Sequence, residues 1–99
     1  MIVFVGCFKR EPKFDQYLGW TDLQVTQKFG RPKRERVGSS ADLLKGELAY
    51  SVRQRVPPNS SVKEIYFASD SRERIFWFTS ASNVWKVVAD VDIPSGVVF

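Results

Sequence analysis

The sequence predicts an α+β domain in which a short N-terminal helix, or more than one, packs on an antiparallel β-meander of three to four strands. Two observations support this class: a full set of helix start and stop signals in residues 20–32, and a change to an alternating pattern from residue 47 onward. With 99 residues the chain is long enough for one domain with its own hydrophobic core. We assign residues 1–13 to an N-terminal segment and residues 14–99 to that domain.

Residues 20–32 carry the signals that begin and end a helix. Thr21 and Gln24 have the spacing of a capping box, in which each side chain accepts a hydrogen bond from the backbone N–H of the other residue. Trp20 and Val25 occupy the two positions of a hydrophobic staple around the first turn. Gly30, followed by a proline, is typical of the position just beyond a helix. The pattern predicts a helix of about two turns, which is too short to be stable alone and must pack on another element.

Four strands are predicted after this helix. The first covers residues 48–56, where Leu48, Tyr50, Val52 and Val56 alternate with smaller or charged residues. A Pro-Pro loop ends it, and the next three strands are joined by short turns rich in serine, aspartate and asparagine. Strands joined in this way form an antiparallel meander. We place these three strands at Val62–Ala68, Arg74–Thr79 and Val84–Val91.

Apolar residues occur on both faces of the predicted sheet. Phe76 and Phe78 point one way and Trp77 points the other. The helix covers one face, so the second must be closed by the chain termini, by a second copy of the chain or by a protein partner. Strict alternation in the last strand places Trp85, Val87, Ala89 and Val91 on one face. Because aromatic side chains dominate interface energies, the candidate interaction residues are Tyr66, Trp77 and Trp85.

The basic residues are concentrated in one short stretch. The chain has a formal net charge of +4, and Arg31, Lys33, Arg34 and Arg36 lie within six positions of one another. The stretch is predicted to be an exposed, solvated loop that keeps the protein soluble. A cluster of this size can also meet nucleic-acid phosphates or anionic lipid head groups, although no nucleic-acid recognition motif accompanies it.

The residue types present exclude several kinds of chemistry. The sequence has no histidine and one cysteine, so it offers no histidine-based catalysis, none of the common zinc ligand sets and no intrachain disulfide. Asp90 and Asp92 have the spacing of paired carboxylates on a strand, and Asp70 and Glu73 flank a turn; solvated strand ends explain both pairs. We expect no catalytic residue, metal, cofactor or small-molecule substrate. No apolar run approaches the roughly 20 residues of a membrane-spanning helix.

The N-terminal segment supports two interpretations. Residues 1–7 are an apolar stretch that ends in Gly6 and Cys7, as at the end of a lipoprotein signal peptide, which makes Cys7 a candidate for lipidation. A basic region and most of the apolar region of such a signal are missing. The other interpretation is a β-branched strand in which Cys7 is a free, buried thiol.

One motif resembles a known family. The run Gly19-Trp20-Thr21-Asp22-Leu23-Gln24-Val25, continued by Phe29-Gly30 and Pro32, resembles the signature of the SmpA/OmlA group, small lipoproteins of the outer-membrane protein assembly machinery. The same signature occurs in β-lactamase-inhibitor-like α+β domains. Trp20 departs from the pattern, which usually has a small residue or methionine there. The resemblance implies a lipid anchor at Cys7 and a place on the periplasmic face of the bacterial cell envelope.

These observations together predict a non-catalytic protein-interaction module of the bacterial cell envelope, with an unidentified protein or a second copy of the chain as its partner. One alternative is a small inhibitor domain that inserts the loop Pro57-Pro58-Asn59 into the cleft of a periplasmic enzyme. Another is a basic nucleic-acid-binding domain. Without an anchor at Cys7 the expected location is the cytoplasm.

Overall fold

A computed structural model describes residues 12–46 and 49–94. Within these residues three short helices and a five-stranded antiparallel sheet form an α+β fold, so the predicted class is confirmed, but the sheet is larger than the three to four strands expected. The helices are α1 (Asp22–Phe29), α2 (Ser40–Leu43) and α3 (Tyr50–Arg53). The strands are β1 (Lys13–Phe14), β2 (Arg34–Ser39), β3 (Ser61–Ala68), β4 (Arg72–Ala81) and β5 (Val84–Pro94), in the spatial order β1-β5-β4-β3-β2.

Helix α1 begins and ends where the sequence predicts. The Thr21 hydroxyl accepts a hydrogen bond from the Gln24 N–H at 3.1 Å, and the Gln24 side chain accepts one from the Thr21 N–H at 2.9 Å. Gly30 ends the helix with φ +87° and ψ −147°, a backbone conformation that residues with a side chain rarely adopt. Its N–H donates to the Thr26 carbonyl. The helix buries Val25 completely against the sheet.

The predicted meander is confirmed as β3, β4 and β5, with longer strands than expected. The Ser69 N–H donates to the Arg72 carbonyl at 2.8 Å and closes the turn between β3 and β4. Ser82 and Asn83 join β4 to β5 with φ values of +53° and +66°. A two-residue loop with both φ values positive matches the twist of a hairpin, and asparagine tolerates that conformation well.

The strand predicted over residues 48–56 is wrong, because the described part of this segment contains the helical turn α3. Ala49, Val52 and Val56 are buried at spacings of three and four residues, whereas Tyr50, expected to face inward, is 59% exposed. Val52 and Val56 fit both periods, so the alternation seen in the sequence was a coincidence of a short apolar segment. Leu48 lies outside the described residues.

The basic stretch is not simply the exposed loop that was predicted, because Arg34 and Arg36 belong to strand β2. Strand β2 pairs with β3 along its whole length, from Arg34 opposite Tyr66 to Ser39 opposite Ser61. The strand has no apolar alternation because it is an edge strand with little buried surface, so its pattern resembles that of a loop.

A β-bulge changes which residues of β5 share a face. Trp77 pairs with Ala89 but the next residue, Phe78, pairs with Val87, so Val88 is an extra residue in β5. Trp85 and Val87 therefore pack on one face, and Ala89 and Val91 pack on the other. The expectation that all four share a face was wrong, since one inserted residue reverses the alternation.

Both faces of the sheet are packed by the chain itself. On the face that contacts α1, which we call the α1 face, Val25 packs with a cluster that includes Phe76 and Phe78. On the opposite face the segment from α2 through α3 supplies the cover, so closure by the termini, a second copy or a partner is not needed over this core. The cover residues are Leu44, Ala49, Val52 and Val56. Residues 97–99, expected to help close the core, lie outside the described residues.

Candidate interaction surface

The three aromatic residues predicted to bind a partner do not form one surface. Trp77 is only 3% exposed and belongs to the core on the opposite face. Trp85 is partly buried on the α1 face, where it packs against the cluster around Val25. Tyr66 is partly exposed, and Arg34 lies over its ring at 4.9 Å. All three candidates depended on a sheet face that the chain leaves uncovered. Trp77 does not meet this condition.

Trp77 instead takes part in a buried polar network with Glu64 and Arg36. The Trp77 Nε1–H donates to Glu64 Oε2 at 3.0 Å, and Arg36 donates from Nε and Nη2 to Glu64 Oε1 at 3.1 and 2.7 Å. The Glu64 side chain is almost fully buried, whereas that of Arg36 is about half exposed. This network attaches edge strand β2 to the sheet, and sequence reasoning missed it. The sequence did contain a signal for it: Glu64 comes two residues after Val62 in the same strand, and residues two apart share a face of the sheet. This spacing places the Glu64 carboxylate on a packed face.

Tyr66 is held by its own polar contacts. Its hydroxyl donates to Glu73 Oε1 at 2.8 Å, and this hydrogen bond is the main cause of a raised pKa for the Tyr66 phenol. Arg34 lies over the Tyr66 ring and Glu73 accepts from its hydroxyl. The ring and the hydroxyl, which could each contact a partner, therefore both already contact residues of this chain.

Asp90 and Asp92 are buried on the α1 face, so the interpretation as solvated strand ends is wrong. Asp90 accepts hydrogen bonds from the backbone N–H groups of Gln16 and Tyr17, both at 2.9 Å, and thereby holds the segment before α1. Burial raises the pKa of Asp90, while these two N–H groups oppose the shift. Asp92 Oδ2 accepts a hydrogen bond from Arg72 and forms an ion pair with Arg74 at 3.2 Å, and its buried Oδ1 has no hydrogen-bond partner among the described residues.

One edge of the sheet is covered by the segment that Asp90 holds. Strand β1 pairs with Val91 and Asp92, and the Asp15 N–H donates to the Asp90 carbonyl at 2.9 Å. Further along β5, Val87 exchanges hydrogen bonds with Gly19 and Trp20. The outer edge of β5 is therefore occupied along most of its length.

The other edge, formed by β2, is paired with no described residue on its outer side. The Ser40 N–H donates to the Ser60 carbonyl, and these two residues continue the register of the β2–β3 ladder. Because alternate residues of a strand direct their N–H and C=O groups to the same side, the even-numbered residues of β2 direct theirs toward β3. The N–H and C=O groups of Glu35 and Val37 and the N–H of Ser39 consequently point outward. Val37 is 62% exposed, so its side chain adds little to the core. We call these outward backbone groups the β2 edge.

A basic groove lies beside the start of the β2 edge. It has a volume of about 220 Å³ and its lining includes Arg31, Arg72, Arg74, Phe29 and Phe67, and we call it the arginine groove. The two rings lie 5.6 Å apart, and the Arg74 guanidinium lies 4.6 Å from the centre of the Phe29 ring. Arg31 has no described ion-pair partner, so the three guanidinium groups outnumber the single buried carboxylate of Asp92.

The loop proposed for an inhibitor is compact. Residues Pro57, Pro58 and Asn59 are exposed, but Ser60 closes the loop by donating from its N–H at 3.2 Å and from its hydroxyl at 2.7 Å to the Pro57 carbonyl. The lipidation candidate Cys7 lies outside the described residues.

Comparison with protein families, curated proteins and solved structures finds no match to this chain. In the part of the chain that the structure describes, no helix is long and apolar enough to span a membrane. Over the same residues, no group of three or more acidic or cysteine side chains converges in a way that could hold a metal ion.

Proposed function

We propose that this protein is a non-catalytic protein-interaction module that binds an extended segment of a partner by strand addition at the β2 edge. The observation that carries the proposal is the outward row of backbone groups on β2, which no described residue pairs. An unpaired edge is a template for a further strand, and peptide-binding domains use it for that purpose. The packing of both sheet faces and the cover on β5 leave this edge as the main open part of the sheet.

The β2 edge has features that suit controlled rather than indiscriminate pairing. Its exposed residues Arg34 and Glu35 are charged, and charged edges resist association between identical sheets. Arg36 holds the strand through Glu64, so the edge is fixed before a partner arrives. A rigid template lowers the ordering cost of binding.

The inhibitor and nucleic-acid alternatives have less support. An inhibitor loop must project into an enzyme cleft, whereas Ser60 folds the Pro57–Asn59 loop into a tight turn. Binding of single-stranded nucleic acid needs open aromatic faces for base stacking. Arginines already cover a face of both Phe29 and Tyr66, at 4.6 and 4.9 Å from the ring centres.

The proposal includes a location in the bacterial cell envelope, with a lipid anchor on Cys7. The support is the resemblance of the motif around α1 to the SmpA/OmlA signature and the Gly6-Cys7 pair ahead of the domain. Expression from the native genomic locus in the presence of an alkyne-tagged fatty acid tests it. We expect the wild-type protein to be labelled and the Cys7→Ser variant to be unlabelled. Wild-type protein that carries no label, in the soluble fraction, would overturn the envelope location.

Substitution of Val37 by proline tests strand addition. Val37→Pro removes one outward N–H without breaking the ladder to β3, and edge strands tolerate proline where that N–H faces solvent. Val37→Ala is the matched control, because it shortens the same side chain and keeps the N–H. We expect partner capture from cell extract to be equal for wild type and Val37→Ala and to be lost for Val37→Pro.

Two further measurements make this test decisive. Circular dichroism and thermal unfolding must show that Val37→Pro retains the fold. Hydrogen exchange in the captured wild-type complex should show new protection of the amides of Glu35, Val37 and Ser39. If Val37→Pro captures the same proteins as Val37→Ala, or if those amides exchange at the same rate with and without the partner, strand addition at β2 is wrong.

A further inference from the structure

We infer that the arginine groove takes a carboxylate group of the segment bound at the β2 edge, so that the partner of this protein is an acidic extended peptide. This inference rests on the proposed strand addition and specifies the chemistry of the partner. It is carried by the arrangement of Arg31, Arg72 and Arg74 beside the start of β2.

The groove presents arginines that are already held in place. Arg72 donates to Oδ2 of the buried Asp92, and Arg74 forms an ion pair with the same oxygen at 3.2 Å and also lies against the Phe29 ring. Each of these contacts to Asp92 uses one nitrogen of the guanidinium, which leaves further N–H donors on both groups. Because the side chains are oriented before binding, an incoming anion pays a smaller entropy cost.

The charge balance along this end of the molecule favours an anion. Among the described residues, Arg31 and Lys33 have no side-chain partner, and Arg34 contacts a ring rather than a carboxylate. The one acid of the stretch, Glu35, lies 3.7 Å from the Lys63 ammonium and is balanced by it. A partner strand on the β2 edge therefore meets Arg31, Lys33 and Arg34, none of which forms an ion pair with a described residue.

A carboxylate fits the groove better than a nucleotide does. The volume of about 220 Å³ is smaller than the roughly 300–1,000 Å³ typical of pockets for cofactors and other small molecules. Arginine presents a planar pair of donors that matches a carboxylate in two-point contact. The Phe29 face is occupied by Arg74 and Phe67 is buried, so the groove offers little open ring surface to a base.

The groove and the β2 edge are close enough to be used by one segment. The first paired residue of β2, Arg34, lies opposite Tyr66, and the Lys33 N–H donates to the Tyr66 carbonyl at 2.8 Å. The next residue of β3 is Phe67, which lines the groove. Arg31 lies just before β2, whereas Arg72 and Arg74 are on β4, two strands further into the sheet. A strand added outside β2 therefore ends near Arg31, and its acidic side chains reach Arg72 and Arg74 where the segment continues past β2 into the groove.

An NMR titration with two synthetic peptides tests the inference. The peptide acetyl-TETVTETV-amide has residues that favour strands and carries glutamates on one face, and acetyl-TQTVTQTV-amide is its neutral match. We expect the glutamate peptide to bind about tenfold or more tightly than the glutamine peptide, and to shift the side-chain signals of Arg31, Arg72 and Arg74. Arg31→Gln should remove most of this difference, whereas Lys45→Gln, an equal loss of charge at another exposed residue, should not.

The possible failures point to different conclusions. If both peptides bind equally and Val37→Pro abolishes binding of both, strand addition holds and the acidic-partner inference is wrong. If the glutamate peptide binds Val37→Pro as well as wild type, the proposed strand addition is wrong. If oligothymidylate shifts the same arginine signals at lower concentration than the glutamate peptide, the partner is a nucleic acid and the inference is overturned.

Discussion

Glu64 is the residue that connects the edge of the sheet to its core. Its two carboxylate oxygens face different partners: Oε1 accepts from Arg36 and Oε2 accepts from the Trp77 indole. A buried carboxylate is costly unless it is fully paired, so each partner matters more than an exposed ion pair would. Arg36 is therefore a structural residue even though about half of its side chain is in contact with solvent.

Substitution of Arg36 by alanine should destabilise the protein by about 1–3 kcal/mol, because it leaves Oε1 of Glu64 buried without a partner. Arg34→Ala is the matched control; it removes an equal charge from the same strand, but the Arg34 side chain lies over the Tyr66 ring and forms no ion pair with a described residue. We expect it to change the free energy of unfolding by less than about 1 kcal/mol. Urea unfolding of both variants gives the comparison, and equal midpoints would contradict the role assigned to Glu64.

The same contacts change the expected outcome for the whole basic stretch. As an exposed loop, Arg31, Lys33, Arg34 and Arg36 could all be replaced by serine without loss of stability. Because Arg36 pairs with Glu64, only the first three are dispensable for the fold. Removing those three should affect binding of an anionic partner and leave the unfolding midpoint nearly unchanged.

At the scale of elements, the segment from α2 to α3 decides whether the sheet has an open face. Its helices have only four residues each, so neither is stable alone and both depend on packing against the sheet. Leu44 between them is almost completely buried, and Arg53 donates to the Leu44 carbonyl at 2.6 Å. This cover is what buries Trp77.

Leu44→Ala should cost about 2–5 kcal/mol of unfolding free energy, the usual range for a buried leucine. Tyr50→Ala in the same segment should cost less than about 1 kcal/mol, since the ring is exposed and contacts Arg53 as a cation–π pair. Chemical unfolding monitored by tryptophan fluorescence measures both. A larger loss for Tyr50→Ala than for Leu44→Ala would restore the interpretation of this segment as a strand with Tyr50 inward.

At the scale of the whole molecule, Asp15 in the segment that covers β5 and Asp90 in β5 itself give stability opposite dependences on pH. Asp15 forms a salt bridge with Arg55 at 2.8 Å, and this hydrogen bond lowers the pKa of the Asp15 carboxyl. Burial raises the pKa of the Asp90 carboxyl above its usual value. Asp90 holds Gln16 and Tyr17 against β5, and Asp15 pairs with Arg55, which itself donates to the Val88 carbonyl of β5, so their titration reports on this part of the fold.

The signs follow from proton binding in the two states. A lowered folded pKa means that the contribution of Asp15 is present above the unfolded value of about 3.9 and is lost as the pH falls through the folded pKa. A raised folded pKa means that the contribution of Asp90 is fully present below about 3.9 and decreases as the pH rises through the folded pKa. Asp90→Asn should remove that decrease, so the variant gains stability relative to wild type as the pH rises.

Urea unfolding across a pH series of wild type, Asp90→Asn and Asp15→Asn measures these effects. We expect the wild-type curve to approach or fall below the Asp90→Asn curve above the usual aspartate pKa. We also expect Asp15→Asn to lack part of the loss of stability that wild type shows in acid. Parallel stability curves for wild type and Asp90→Asn would mean that the Asp90 carboxyl is not perturbed.

Local signals in the sequence were sufficient where the interactions that form an element lie within a few residues. The capping box of Thr21 and Gln24 and the stop at Gly30 placed α1, and the turn residues Ser82 and Asn83 placed the β4–β5 hairpin. Strands β3 to β5 were also predictable, because burial on both faces leaves a long and strongly apolar stretch in each strand. These features specify an α+β fold with an antiparallel meander.

Long-range contacts determined the remaining structure, and their partners are far apart in the sequence. Strand β2 forms because Arg36 meets Glu64 and the β3 ladder, and residues 49–56 adopt a segment containing the short helix α3 because the sheet offers them an apolar face. The bulge at Val88 reverses the alternation in β5 without any local marker. The β2 edge and the arginine groove are both products of such contacts, since Arg31, Arg72 and Arg74 come together only after the sheet has assembled. A pattern of apolar residues shows which side chains need burial, but only the folded chain shows what buries them and which edge is left open.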